Sequence, residues 1–301
     1  MSRAASSQAA AGQAIFSSQV LERRPIIGIR DSGVGGLTVA RAIRQQLGHA
    51  RLLYFADTAH VPYGDREPDE VKFFALSISR FLLQVGAQSL VFACNTTSAY
   101  ALDEAQARFP VPVVGMIEPG ARAAVEATSG GRIGVLATQA TVDSNVYSRT
   151  LRALRPDVQA REVGCPLFVP LVEGEQAQGQ DAQDAARKYL QPLLQARCDT
   201  VILGCTHYPL LLPVLRAVAP QIRFIDPAHA VARQVAAQVR ALPASAQLAT
   251  AHAQAGDDDD VFYVSGEQAG VRHWIQNLLG LPSPRLEPGP VFERQPCATP
   301  A

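Results

Sequence analysis

Two cysteines in this chain each close an apolar run and open a helical pattern. Val201-Ile202-Leu203-Gly204 leads into Cys205-Thr206-His207-Tyr208-Pro209, and Leu90-Val91-Phe92-Ala93 leads into Cys94-Asn95-Thr96-Thr97. A buried strand that turns into a helix is where α/β proteins place reacting groups. A thiol beside a helix N-terminus has its pKa lowered from about 8.5 towards neutrality, so thiolate and thiol coexist near pH 7. Two such groups on opposite sides of one substrate carbon supply a base and an acid. That is the equipment for inverting a stereocentre by proton removal and return.

The neighbouring residue types fit that chemistry. Asp31 and His207 fall at strand ends, each placed to orient or assist one thiol, and Asp57 and Glu173 are read as matching acids in two related halves. Ser32, Asn95, Thr96 and Thr206, with backbone amides near Gly64, offer hydroxyl, amide and N–H groups for carboxylates and an ammonium. Taken singly, each is also an ordinary cap or turn former. His49, His60, His229, His252 and His273 show no partner pattern.

Two other readings stand beside this one. Gly33-x-Gly35-x-x-Thr38 follows a strand, opens a helix and has Asp57 at the end of the next strand, which is close to a dinucleotide-binding turn; Thr38 replaces the third glycine or alanine. Cys94, Cys205 and His207 have zinc-ligand chemistry, although the chain contains no Cys-x-x-Cys pair. Lysine is informative by its scarcity. Only Lys72 and Lys188 occur, both inside helical patterns, so a pyridoxal phosphate Schiff base has no candidate at a strand-end turn.

The elements that must carry these residues alternate regularly. Strands are expected at Ile26 to Arg30, Arg51 to Ala56, Gln88 to Ala93 and Pro112 to Gly115, with helices from Leu37 to Leu47, Pro68 to Val85 and Ser98 to Phe109. Glu118-Pro119-Gly120 reads as a break, after which Arg132 to Thr138 repeats the opening theme of Ile26 to Ser32. A helix from Val142 to Leu154 follows, then an extended stretch through Pro166 to Pro170, an acidic turn at Glu173, a helix from Ala182 to Ala196 and the Cys205 strand. Cys94 and Cys205 are 111 positions apart and the opening glycines Gly28 and Gly134 are 106 apart, so the halves keep nearly constant register. Two copies at this spacing point to duplication rather than a solenoid. Strands at Arg223 to Ile225 and Val261 to Val264, each followed by a helix, complete the pattern; Leu242 to Asp260 reads as a solvated loop ending in four aspartates.

Composition bounds the class. The 301 residues are 48% hydrophobic, ample for a core, and 27 basic residues balance 27 acidic ones, leaving no basic field for nucleic acid or an anionic membrane. The apolar runs fall short of a bilayer span, and residues 1–24 lack the h-region of a secretory signal, so a soluble protein with a flexible N-terminal extension is expected. Five cysteines, an odd number in a chain with a good core, favour free thiols in a reducing cytoplasm over a disulfide framework.

At these residues the chain resembles the cofactor-independent glutamate racemases of the aspartate/glutamate racemase superfamily. The match runs from Pro25 to Leu279 and is carried by Asp31-Ser32-Gly33-Val34-Gly35-Gly36-Leu37, Asp57 with Pro62-Tyr63-Gly64, Cys94-Asn95-Thr96, Gly134 to Thr138 with Thr141, Pro170 to Glu173, and Leu203 to Pro209. Its length displaces the dinucleotide reading. The resemblance implies an α/β protein of two pseudo-symmetric domains, each with a mainly parallel sheet flanked by helices and with the active site in the cleft between them. Residues 25–116 with 225–280 would form the first domain, 117–224 the second, and 281–301 a flexible tail.

The activity implied is interconversion of L-glutamate and D-glutamate for peptidoglycan, with no cofactor and no metal. Cys94 would take the α-proton from D-glutamate and Cys205 from L-glutamate, with Asp31 supporting Cys94, His207 supporting Cys205, and Asp57 and Glu173 as secondary acids. Substrate contacts would fall on Asp31, Ser32, Tyr63, Gly64, Asn95, Thr96, Thr138, Thr141, Thr206 and His207. The resemblance also implies a homodimer and makes the N-terminal extension a candidate for binding a cell-wall precursor as activator. Arg30 stands where the family more commonly has an apolar or aromatic residue, and Asp226-Pro227-Ala228 replaces a Ser-Gly type turn. The alternatives are a racemase of aspartate or another small amino acid, and a dicarboxylate-binding protein that has lost the reaction.

Overall fold

The computed structural model describes residues 24–241 and 260–294. Two parallel sheets organise the chain. The first is built from β1 (Ile26–Asp31), β2 (Arg51–Ala56), β3 (Ser89–Phe92), β4 (Val113–Val114), β9 (Val261–Val264) and β10 (Arg285–Pro288), in the order β10-β9-β2-β1-β3-β4. The second holds β5 (Arg132–Ala137), β6 (Gln159–Gly164), β7 (Thr200–Gly204) and β8 (Arg223–Ile225), in the order β6-β5-β7-β8. Near-continuous runs such as Val201-Ile202-Leu203 are apolar on both faces because parallel strands are covered on both faces.

The covering helices are α1 (Leu37–Gln46), α2 (Pro68–Gln84), α3 (Asn95–Arg108), α4 (Ile117–Ala127), α5 (Gln139–Asp143), α6 (Val146–Leu154), α7 (Phe168–Glu173), α8 (Gln180–Gln195), α9 (Leu212–Val218), α10 (Pro227–Ala241) and α11 (Gln268–Leu279). They divide the core into four clusters, one for each face of each sheet. Ile27, Ile29, Val91 and Ala93 pack under α1 and α10, while Leu90, Phe92 and Cys94 share the opposite face with Val71, Phe74 and Ile78 of α2. Leu136, Val201 and Leu203 face α8, and Ile133, Val135 and Ile202 face α4 and α6.

Several local expectations are corrected. Glu118-Pro119-Gly120 is not a break but lies in the first turn of α4, where the first N–H groups of a helix have no intrahelical acceptor and a proline removes nothing. The extended segment lies earlier than expected: β6 occupies 159–164, and residues 168–173 are the short helix α7. The expected helix from Val142 to Leu154 is two helices, parted at Asn145, whose φ of 53° stops the first. The segment expected as a tail after 281 adds edge strand β10 beside β9 before the described residues end. Asp260, expected to be solvated, is buried; its Oδ1 accepts from Leu52 N–H at 2.9 Å and its Oδ2 pairs with Arg44. The expected N-terminal extension, the loop from 242 to 259 with His252, and Cys297 lie outside the described residues.

Candidate active site

Each sheet reverses its strand order once, and the two reversals carry the chemistry. In the first sheet β1 has β2 on one side and β3 on the other; in the second, β5 has β6 and β7. Ligands of open parallel sheets bind beyond the carboxyl ends of strands at such a switch point. Asp31 ends β1 and Cys94 follows β3; Thr138 follows β5 and Cys205 follows β7. One cavity of about 360 Å³ is lined by both cysteines.

The pairing registers of the two sheets correspond. Arg30 lies opposite Phe92 in the first sheet and Leu136 opposite Leu203 in the second, so Asp31 corresponds to Ala137 and Cys94 to Cys205. The same registers correct the match between Asp57 and Glu173. Asp57 N–H donates to Asp31 O at 3.1 Å, and the equivalent bond in the second half runs from Cys165 N–H to Ala137 O at 2.9 Å. Cys165 is therefore the counterpart of Asp57, and Glu173 comes from α7, further along the chain.

Around Cys205 the groups form a chain. His207 Nδ1 lies 3.7 Å from Cys205 Sγ, and His207 Nε2 lies 3.0 Å from Glu173 Oε1. Burial disfavours charge on the imidazole, yet its hydrogen bonds to Cys205 and Glu173 outweigh that and hold its pKa well above the ordinary histidine value. The imidazolium is thus a countercharge for a Cys205 thiolate. This arrangement matches what the cysteine and histidine two positions apart suggest, because a strand-end turn curls residue 207 back over residue 205.

Around Cys94 the charges differ. Burial pushes the Cys94 thiol up, Asp31 pushes it the same way, and Arg30 and the neighbouring Thr97 hydroxyl and N–H oppose them. Asp31 is fully buried: its Oδ2 accepts from Gly33 N–H and Gly36 N–H, both at 3.0 Å, and Tyr54 Oη lies 3.5 Å away. Its Oδ1 has no partner among the described residues. In the protein alone, burial and Asp31 therefore favour the thiol at Cys94, whereas Cys205 has an imidazole of raised pKa beside it.

The sites expected for substrate sort as follows. Ser32, Tyr63, Gly64, Asn95, Thr96, Thr138, Glu173, Thr206 and His207 line the cavity with Cys94 and Cys205. Thr96 Oγ1 is 2.9 Å from Thr138 Oγ1 and 3.2 Å from Thr141 Oγ1, making a cluster of three hydroxyls in which Thr141 stands behind the lining. Asn95 Oδ1 accepts from Tyr147 Oη at 2.8 Å, and its buried Nδ2 has no partner among the described residues, so it can donate to an acceptor in the cavity. Asp31 and Asp57 do not line the cavity. Asp57 is buried behind Tyr63, with Oδ2 2.5 Å from Tyr63 Oη and Oδ1 accepting from Ser265 Oγ at 2.7 Å.

Sequence reasoning missed Tyr54, Tyr147, Cys165 and Ser265, and set aside His60, whose Nδ1 is 2.8 Å from Asp57 Oδ1. Cys165 could have been found from its place after β6, had that strand been recognised. The glycine turn is also explained. A β-carbon on Gly35 would stand 2.4 Å from Thr206 Oγ1 and 2.6 Å from His207 Nδ1, so the space a pyrophosphate would need is filled by the other half of the protein. His207, a candidate ligand in the zinc reading, has both ring nitrogens engaged by protein groups.

The Asp/Glu/Hydantoin racemase family model matches residues 37–235. A glutamate racemase of Desulforudis audaxviator is 43% identical over 271 residues, covering 89% of this chain and 96% of that protein. The crystal structure of glutamate racemase isoform RacE1 from Bacillus anthracis is 32% identical, with a TM-score of 0.80, covering 89% of this chain and 98% of that one. Escherichia coli glutamate racemase, solved with L-glutamate and the activator UDP-MurNAc-ala, is 29% identical, with a TM-score of 0.70, covering 85% of this chain and 94% of that one.

Proposed function

The chain belongs to the Asp/Glu/Hydantoin racemase family, and from that premise we propose that it is an isomerase that interconverts L-glutamate and D-glutamate by proton transfer between Cys94 and Cys205. One observation carries the reading: two thiols that follow equivalent strands of two matching halves line a single cavity. L-glutamate enters with its α-hydrogen towards Cys205. The Cys205 thiolate takes that proton, and the Cys94 thiol returns one to the opposite face of the carbanion, leaving D-glutamate, a Cys205 thiol and a Cys94 thiolate. The reverse reaction runs the same steps backwards, so atoms and charge balance in each direction.

His207 and Glu173 favour the starting charge state, as the buried imidazolium stabilises the Cys205 anion. Asp31 raises the cost of an anion at Cys94 and so keeps that group a proton donor until the carbanion forms. The Asn95 amide and the hydroxyls of Thr96, Thr138 and Ser32 are the groups to hold the two carboxylates, with Thr141 and Tyr147 fixing their orientation. Asp57 acts at one remove, by fixing the Tyr63 hydroxyl.

The division into residues 25–116 with 225–280 and residues 117–224 is proposed with this mechanism; the two sheets support it, except that Ile225 still pairs in the second sheet and β10 extends the first to Pro288. No described helix is long and apolar enough to cross a membrane. Free thiols at both reacting positions need a reducing compartment, which supports a cytoplasmic enzyme supplying D-glutamate for peptidoglycan. The test is direct: purified protein and L-glutamate without added cofactor should lose optical rotation, and should do so faster than with L-aspartate. Equal turnover of both, or of neither, would overturn the substrate assignment.

A further inference from the structure

Arg30 is a buried cation to which no carboxylate among the described residues pairs directly. Its side chain is fully buried, and it lies in β1 directly opposite Phe55 of β2 and Phe92 of β3. The guanidinium carbon sits 5.5 Å from the Phe92 ring centroid and 5.4 Å from that of Tyr63. One nitrogen donates to Tyr63 Oη at 3.3 Å, while Nε and the other terminal nitrogen have no partner among the described residues. A desolvated, half-satisfied guanidinium is costly, and its field is little screened by the aromatic surroundings.

Cys94 is the thiol closest in the topology. Arg30 pairs with Phe92, Arg30 O accepts from Ala93 N–H at 2.9 Å, and Cys94 follows on the same sheet face as Phe92. Tyr63, held by Arg30 on one side and by Asp57 on the other, lines the cavity beside Cys94.

We propose that Arg30 is a positioning residue for the Cys94 half of the reaction: its guanidinium is the buried countercharge that lets a Cys94 thiolate form beside Asp31, and its hydrogen bond sets the Tyr63 wall of the cleft. The proposal rests on the reading of Cys94 as one of the two bases.

Every charged or titratable group facing that thiol enters the balance. Asp31 from β1 opposes the anion, Tyr54 from β2 and Tyr63 are neutral phenols, and Asp57 is spent on Tyr63, His60 and Ser265. Thr97 of α3 offers a hydroxyl. Across the cleft, the His207 imidazolium is already engaged by Cys205 and Glu173. On the Cys94 side this leaves Arg30 as the cation among the described residues. The direction agrees, since Arg30 opposes the rise that burial and Asp31 impose on Cys94.

The experiment reads the thiol itself, with no substrate present. Wild-type protein and the variants Arg30→Met, Arg30→Gln and Arg30→Lys are treated with iodoacetamide across a pH series, and alkylation of Cys94 and Cys205 is followed separately by peptide mass spectrometry. Loss of the charge in the Met and Gln variants should move the half-reaction pH of Cys94 upwards by about one unit or more, and the Lys variant should keep most of the wild-type value. The Cys205 curve should stay in place. An unmoved Cys94 curve in the neutral variants, an equal shift of Cys205, or a full shift in Arg30→Lys overturns the proposal. So does loss of the fold in both neutral variants, which would make Arg30 a packing residue. A failure of the two-thiol reading would appear elsewhere, as racemisation that survives Cys94→Ala, and would leave the alkylation curves as they are.

Discussion

Glu173 Oε1 lies 3.0 Å from His207 Nε2, on the far side of the imidazole from Cys205. The bond fixes the ring and favours its charged form, because a carboxylate acceptor stabilises the proton on Nε2. Since the folded pKa of His207 is raised, its contribution to stability is complete below the unfolded value of about 6.5 and is lost as pH rises through the folded value. Glu173→Gln removes one of the groups that raise it. The His207 titration, followed by nitrogen NMR, should therefore move to lower pH in this variant, and the alkaline limb of L-glutamate turnover should move with it. An unchanged midpoint would detach Glu173 from His207.

The two thiols should be equally indispensable to net racemisation. Cys94→Ala and Cys205→Ala should each lower turnover by at least about a thousandfold, the upper range for loss of one proton-transfer group. Circular dichroism of both variants should stay at the wild-type level, as each change trims only one sulfur. A Cys205→Ala protein with normal racemisation would contradict the two-thiol assignment.

Gly35 joins the halves. Gly35→Ala places a methyl group against Thr206 Oγ1 and the His207 ring, contacts too close for any real β-carbon, so one side must shift. Overpacking of this kind costs about 1–3 kcal/mol. The expected outcome is a lower melting temperature together with a larger loss of activity than the stability change explains, because the side chains displaced are those that hold Cys205. Wild-type activity in Gly35→Ala would show that the turn and the Cys205 loop are not in contact.

Asp260 supplies a prediction away from the cleft. Asp260→Ala leaves the buried Leu52 N–H of β2 without an acceptor and frees Arg44, and an unsatisfied buried donor costs about 1–3 kcal/mol. Urea denaturation should show the unfolding free energy falling by that amount and the midpoint falling with it, with catalytic constants unchanged for the folded enzyme. No change in midpoint would mean that the carboxylate contributes nothing to holding the start of β2.

The local parts of this molecule were legible in its sequence. Strand-to-helix turns at Cys94 and Cys205 announce themselves through an apolar run, a small residue and a helical pattern, and the near-constant spacing revealed the duplication. Helix α4 was hidden because Pro119 and Gly120 look like a break unless they are recognised as first-turn residues. Strand β6, Gln-Ala-Arg-Glu-Val-Gly, was hidden because it is an edge strand with little apolar signal. Missing it made Glu173 look like the partner of Asp57, a place that Cys165 holds. The supports of the site were illegible for another reason. Ser265 reaches Asp57 across 208 positions, and Tyr147 reaches Asn95 across 52, contacts that no local pattern encodes.

The most direct test of the central claim is to follow optical rotation and α-deuterium together while the purified protein acts on L-glutamate in deuterated buffer with no cofactor added. Proton transfer between two thiols on opposite faces requires rotation to decay to zero as solvent deuterium enters the α-carbon of the D-glutamate formed. Rotation that decays without deuterium reaching that carbon would contradict the two-thiol mechanism.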